Sequence, residues 1–257
     1  MIKIDERAVV SPKAELGDNV EVGPFAVIED NVLIGENSVI AHGAHIAAGT
    51  RIGKNVRVFT GAVLGTIPQD LKFGGEETTL EIGDNTTIRE YATLNRGTQE
   101  SWVTRVGKDC LIMAYAHVAH DCHIGDRVVL ANAVNLAGHV TIEDWASLGG
   151  MVPVHQFIRI GAHAFVGGGY RVVKDVPPFT LVMGEPLRYG GINLVGLRRR
   201  GFSREQLATI KKAYRIVYQS GLNVSQALDQ IRAEVEQTED VLKIIDFIEK
   251  SERGIVR

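Results

Sequence analysis

From Val10 onward an aliphatic residue returns at every sixth position: Leu16, Val22, Ile28, Ile34, Ile40, Ile46, Ile52, Val58 and Leu64. Four residues after each of Val10 through Val58 stands a small or β-branched side chain, in turn Ala14, Val20, Ala26, Val32, Ser38, Ala44, Thr50, Val56 and Ala62. The pattern resumes at Ile82, Ile88 and Leu94 and then runs unbroken from Val106 through Ile112 and Val118 to Val172. Neither the 3.6-residue period of a helix nor the alternation of a half-buried strand produces this spacing. Hexads of this kind build a parallel β-helix, three to a triangular coil of about 18 residues. The aliphatic side chains point inward, the small residues fit the corners, and coils stack about 4.8 Å apart. The expected fold is therefore all-β, a left-handed parallel β-helix.

Two polar segments interrupt the period, residues 66–79 (TIPQDLKFGGEETT) and 99–104 (QESWVT), and read as loops thrown out from the prism. Solenoids tend to carry such insertions on the binding face. The helix of strands must end in a cap, because a terminal coil exposes unpaired edges, and Pro177–Pro178 is a natural stop. Beyond about residue 190 the spacing turns helical. Ser203 with Glu205 nearby opens a run through Leu207, Ile210, Tyr214 and Val217 to Gly221; Asn223 opens a second, and a third spans Asp240 to Lys250. This gives a β-helix over 1–189 and a helical C-terminal domain over 190–257.

Composition narrows the classes. A net charge of −3 over 257 residues argues against a nucleic-acid binder. The start MIKIDERAVV lacks the apolar core of a signal peptide, and no run approaches the ~18 apolar residues of a membrane span. A cytoplasmic protein, not integral to a membrane, is expected. The two cysteines, Cys110 and Cys122, fall in the small inward slot of their hexads and read as core residues rather than nucleophiles.

The histidines fall outside the inward slots. Adding one coil to His120 reaches Gly138–His139, and another reaches His155–Gln156, so these residues should line one edge on successive coils. Imidazoles so aligned suit a general base with polar partners, or metal ligands. Asp121, directly after His120, is placed to orient its ring. His42, His45, His123 and His163 have no comparable company and read as ordinary surface positions.

The segments IMAYAHVAHDCHIG (112–125), LAGHV (136–140), GGMVPVHQF (149–157), IGAHAFVGGG (160–169), DVPPF (175–179) and LRRRGFS (197–203) resemble the UDP-N-acetylglucosamine O-acyltransferase family. So do the PQDLKF–GGE loop (68–76) and the closing RGIVR. The resemblance runs end to end. It implies a homotrimer with active sites between neighbouring prisms, and 3-hydroxyacyl transfer from acyl carrier protein to the 3-hydroxyl of UDP-GlcNAc, the first step of lipid A biosynthesis. It implies His120 as general base supported by Asp121, and the Gly138 N–H as oxyanion donor. Asp70, Lys72, His117, His139, His155 and Gln156 match substrate-contacting positions. Asn193, Arg199 and Arg200 match positions near the nucleotide, and Gly168 the position that sets acyl-chain length; a glycine there implies a longer chain. No cofactor or metal is implied beyond the phosphopantetheine that carries the donor.

Three positions depart from the family pattern: Asn95 where His is common, Val195 where Glu is common, and Glu185–Pro186 where an Asn-His pair is common. They leave open an acceptor bearing a 3-amino group, giving an amide. A rival from another class is a zinc-dependent hydratase of the γ-carbonic anhydrase type, which uses the same prism and needs three imidazoles on one metal. A purely structural solenoid would need a regular outward ladder of one residue type, and the outward positions here are irregular. The related N-acyltransferases carry an extra N-terminal domain, and hexads beginning at Val10 leave no room for one.

Overall fold

Each hexad contributes a two-residue strand whose second side chain is the inward aliphatic, followed by a four-residue corner. In the structure, a computed structural model describing residues 1–257, successive hexads pass in rotation through three sheets of eleven, eight and eight strands. Neighbouring strands pair in parallel one coil apart, as Val27 with His45 and Ile28 with Ile46. The aliphatic positions from Val22 to Val172 are all buried in one continuous core. Val10 and Leu16, in the first coil with nothing beneath it, are only partly so. Burying such a side chain stabilises the fold by about 1.5–3 kcal/mol.

The corners have their own code. The third residue after the aliphatic takes a left-handed backbone conformation in most hexads, and Asn fills this place at Asn19, Asn31, Asn37, Asn55 and Asn85, all with φ between 54° and 59°. Asn tolerates that region better than most residues because its short polar side chain bonds locally. Here it also bonds between coils, as Asn55 Nδ2 donates to Asn85 Oδ1 at 3.1 Å.

Both insertions leave the corner between the second and third sheets without disturbing the register. Val63 still pairs with Thr93 and Thr93 with His117, although more residues than a regular coil lie between them. The second excursion is shorter than expected: Val103 and Thr104 already belong to the strand Val103–Val106, and Thr104 is fully buried.

Pro177–Pro178 is not the stop. The chain turns one more corner there and adds Thr180–Met183 to the first sheet in parallel with Phe165–Val166. The strand Arg188–Ile192 then reverses and pairs antiparallel, closing that sheet. The sheet thus extends to Ile192, past the expected boundary at 189.

Four helices follow: α1 (Leu194–Arg199), α2 (Arg204–Gln219), α3 (Val224–Glu234) and α4 (Glu239–Glu249). The short α1 has no hydrophobic period of its own and was not expected. The other three match the anticipated runs. Ser203 caps α2, and its capping-box partner is Gln206, at the third helical position, rather than Glu205. Their apolar faces form a second core around Tyr214, Ile231 and Ile244 that takes in Phe179 from the last corner. The Tyr214 hydroxyl donates to the Pro178 carbonyl. The C-terminus returns to seal the last coil: Val256 N–H donates to Asp175 O at 2.9 Å and Asp175 N–H to Gly254 O at 3.0 Å. No helix is long and apolar enough to cross a membrane.

Ile112 is fully buried between Ile88 and Leu130 of adjacent coils. Ile112→Ala is expected to cost about 2–5 kcal/mol in urea unfolding, whereas Val9→Ala, 64% exposed at the first coil, should stay within about 0.5 kcal/mol. Equal losses at both sites would contradict this account of the core.

Candidate active site

The corner after His117–Val118 gathers a histidine, a buried carboxylate and their hydrogen-bond partners. Val118 is inward, so the chain must turn over residues 119–122, and Asp121 takes the left-handed place with φ 58°. That brings its carboxylate back over the excursion one coil earlier. Asp121 Oδ1 accepts from Thr98 N–H at 2.9 Å and from the Ser101 hydroxyl. Oδ2 accepts from the Thr98 hydroxyl at 2.7 Å and bonds His120 Nδ1 at 2.8 Å. Its own N–H donates to Thr104 Oγ1. Asp121 is 2% exposed. Burial alone would raise its pKa, but the hydrogen bonds from Ser101, His120 and Thr98 outweigh it and hold the carboxyl down to about 2. A fixed carboxylate on Nδ1 keeps the proton there and leaves Nε2 as the basic nitrogen.

One coil further, Gly138 lies under the His120 ring. A Cβ on Gly138 would stand 2.6 Å from His120 Cε1 and 2.7 Å from Nε2. Only glycine fits, and its N–H finds no acceptor within the chain. His139 takes the left-handed place of this corner, meets the His120 ring edge-on at 5.0 Å and stacks on Phe157 at 4.4 Å. His117 Nδ1 bonds Thr93 Oγ1 at 2.7 Å, and burial together with the neighbouring His120 lowers its pKa. His155 and Gln156 are exposed on the next coil. The anticipated edge of His120, Gly138, His139, His155 and Gln156 is therefore present.

The Asp70–Lys72 loop runs from Thr66 to Thr79, bridging the same corner two coils before His120. Lys72 N–H donates to Asp70 Oδ1 at 3.0 Å, leaving the Lys72 side chain exposed. Asn95 ties down the base of this loop, its Nδ2 donating to Thr66 Oγ1 at 3.0 Å and Ile67 O at 3.1 Å.

Asn193, Arg199 and Arg200 sit elsewhere. With Ser147, Phe165 and Val195 they line a cleft of about 450 Å³ against the first sheet and α1. No residue of the His120 edge belongs to its lining. The Asn193 amide is engaged as the cap of α1, accepting from Gly196 N–H and donating to His163 O at 2.9 Å. His163 is not an ordinary surface histidine. Its ring lies between Trp145 and Phe179 and its Nδ1 is 3.2 Å from Arg200 Nη1. Burial, then Arg200 and Lys243, push its pKa down to about 4. Gly168 lies exposed at the corner between the first and second sheets, where a Cβ would come 3.1 Å from Gly150 O.

His120, Asp121 and His139 offer ligand atoms within 4.8 Å of one another. This donor set does not fit the zinc hydratase reading. It supplies two imidazoles instead of three, and both Asp121 oxygens are already taken by Thr98, Ser101 and His120.

Three residues that sequence reasoning missed, Thr98, Ser101 and Thr104, hold Asp121. The only signal for them is three hydroxyl side chains in and beside one short insertion next to the His-Asp coil: Thr98 just before it, Ser101 within it and Thr104 at its end.

The chain is similar to known proteins along its whole length. A family profile described as UDP-N-acetylglucosamine O-acyltransferase, domain 2, matches residues 175–256, and one for bacterial transferase hexapeptide repeats matches residues 104–138. The acyl-[acyl-carrier-protein]–UDP-N-acetylglucosamine O-acyltransferase of Alkalilimnicola ehrlichii is 51% identical, and that of Herminiimonas arsenicoxydans 48%, each alignment covering 100% of both chains. The solved UDP-N-acetylglucosamine acyltransferase of Bacteroides fragilis superposes with a TM-score of 0.97 at 48% identity, covering 99% of this chain and 100% of that one. The Arabidopsis enzyme does so at 0.88 and 34%, with the same coverage. Identity of this size over whole chains, on one fold, places the chain in the acyl-[acyl-carrier-protein]–UDP-N-acetylglucosamine O-acyltransferase family.

Proposed function

We propose that this acyltransferase moves a 3-hydroxyacyl group from the phosphopantetheine thioester of acyl carrier protein to the 3-hydroxyl of UDP-GlcNAc, the first step of lipid A assembly. The observation that carries the reading is the His120–Asp121–Gly138 unit. His120 Nε2 takes the proton of the sugar 3-hydroxyl as that oxygen attacks the thioester carbonyl. The charge that develops on the carbonyl oxygen meets the unpaired Gly138 N–H, a type of contact worth about 2.7–4 kcal/mol where measured elsewhere. Collapse of the tetrahedral species expels the thiolate, which recovers the proton from the imidazolium. Asp121 stabilises that imidazolium without being protonated itself.

Direct transfer suits the side chains present. Burial pushes the Cys110 and Cys122 thiols up to about 11 and about 12, so neither is a thiolate at neutral pH. The protein needs no cofactor of its own, since the thioester supplies the leaving group. His117, His139, His155, Gln156, Asp70 and Lys72 surround the sugar. Arg199 and Arg200 hold the nucleotide phosphates, and Asn193 shapes their cleft as the cap of α1. Gly168 leaves the groove open for a long acyl chain.

The working unit in this reading is a homotrimer in the cytoplasm, where the carrier protein and the nucleotide sugar are found. Its support is the separation of the two residue sets. The base stands at the corner of the second and third sheets, and the arginines stand against the first. A neighbouring prism packed alongside brings one chain's arginines to the other's base.

His120→Ala should lower kcat by about 10³ in a transfer assay with UDP-GlcNAc, and an unchanged kcat would contradict the assignment. Running that assay with 3-hydroxyacyl donors of several lengths, and with the 3-amino sugar beside UDP-GlcNAc, should give its highest rate with a long chain on the 3-hydroxy sugar. Light scattering should return three times the chain mass. Asp121 also sets a pH dependence of stability. Its carboxyl is lowered from 3.8 to about 2, so its contribution is full above pH 4 and is lost as pH falls towards 2. The stability gap between wild type and Asp121→Asn should therefore shrink across that window, and a constant gap would show that the carboxylate is not held ionised.

A further inference from the structure

His163 grips α1 at both ends. Its carbonyl accepts from Asn193 Nδ2 at the helix start, at 2.9 Å, and its ring nitrogen Nδ1 faces Arg200 Nη1 at the helix end, at 3.2 Å. The imidazole has little freedom. Trp145 and Phe179 cover its two faces at 6.1 and 5.6 Å, nearly parallel, and Phe202 meets it edge-on at 5.1 Å. Arg200 is confined by the same group, its guanidinium lying over the Trp145 ring at 5.1 Å.

Arg200 is half-buried and forms no ion pair with any carboxylate of the chain. Its single side-chain hydrogen bond is the one to His163, which leaves the other guanidinium N–H groups without acceptors. Arg200 lines the cleft with Arg199. No Arg200 nitrogen is sealed away from solvent without a partner, and a planar fork fixed on one side and open on the other is suited to bind phosphate. The His163 ring must be neutral to accept from Arg200, and burial, with the flanking cations Arg200 and Lys243 adding to it, keeps it so.

We infer that His163 is a positioning residue for nucleotide recognition, with its neutral Nδ1, inside the Trp145–Phe179 stack, aiming the Arg200 guanidinium at the phosphates of the sugar nucleotide. The inference rests on the nucleotide reading of the cleft. His163 touches neither the phosphates nor the reacting atoms and acts through Arg200 alone.

Two substitutions separate stacking from hydrogen bonding. His163→Phe keeps an aromatic ring in a left-handed place that Phe157 and Phe179 already occupy on neighbouring corners, but it removes the acceptor. His163→Asn gives up the stack, tolerates the same backbone and presents an oxygen close to where Nδ1 stood. Steady-state kinetics are measured for both, for Arg200→Ala and for the His163→Phe/Arg200→Ala double variant, with melting temperatures and calorimetric titration of UDP. His163→Phe should raise KM for UDP-GlcNAc about tenfold with kcat within about twofold. It should melt with wild type, add nothing in the Arg200→Ala background, and be largely rescued by His163→Asn. Wild-type KM and UDP affinity in His163→Phe, beside a raised KM in Arg200→Ala, would overturn the inference and leave the nucleotide reading standing. Independent, multiplying effects of the two substitutions would also overturn it. Wild-type KM in Arg200→Ala would remove the nucleotide reading itself and this inference with it.

Discussion

The parallel register between coils is the constraint on which the rest depends. Because each strand pairs with the one a coil further on, residues at equal places in successive corners stack at about 4.8 Å. His117, Asn135 and Pro153 pair in this way, so the corners that follow carry His120, Gly138 and Gln156 in one column. The proposed base and oxyanion donor are thereby held a single rung apart on a rigid ladder, with no loop having to close. The fit is tight enough that the imidazole rests on the Gly138 backbone, where no side chain is tolerated.

A ladder alone does not make a base. A regular corner has no donors for a buried carboxylate, and an unpaired one would take up a proton rather than stay charged. The excursion around Thr98 supplies what the prism lacks: an N–H and two hydroxyls on Asp121, with Thr104 bonding its backbone. Four hydrogen bonds on two oxygens fix the carboxylate, and through it the His120 tautomer. The departures from the hexad are therefore where the chemistry is prepared, and the longer excursion, with Asp70 and Lys72, opens from the same edge.

How legible this was follows from which forces act along the chain and which act across it. The core was legible because every coil repeats the same packing problem, and the hexad records its solution from Val22 to Val172. The column of His120, Gly138 and His139 followed by adding one coil. The cap was not legible: the reversal at Arg188–Ile192 depends on the free edge it covers, and its Gly-rich sequence has no period. α1 was missed because it is stabilised at its ends, by Asn193 and His163, rather than by an apolar stripe. His163 looked like surface because its hexad slot points outward, whereas Trp145 and Phe179 in the same slot of neighbouring corners, with Phe202 behind α1, enclose it.

A single chain holds the proposed base at one edge and the arginines proposed to bind phosphate on another face, so a shared site needs two chains. Mixed assembly tests this most directly. His120→Ala and Arg199→Ala/Arg200→Ala chains, each inactive alone, would be co-refolded in equal amounts and assayed for transfer to UDP-GlcNAc. If neighbours share each site, activity should return to about one quarter of wild type, because every mixed trimer regains one intact site of three. No recovery from trimers shown to contain both chains would mean that base and arginines act within one chain, contradicting the shared site.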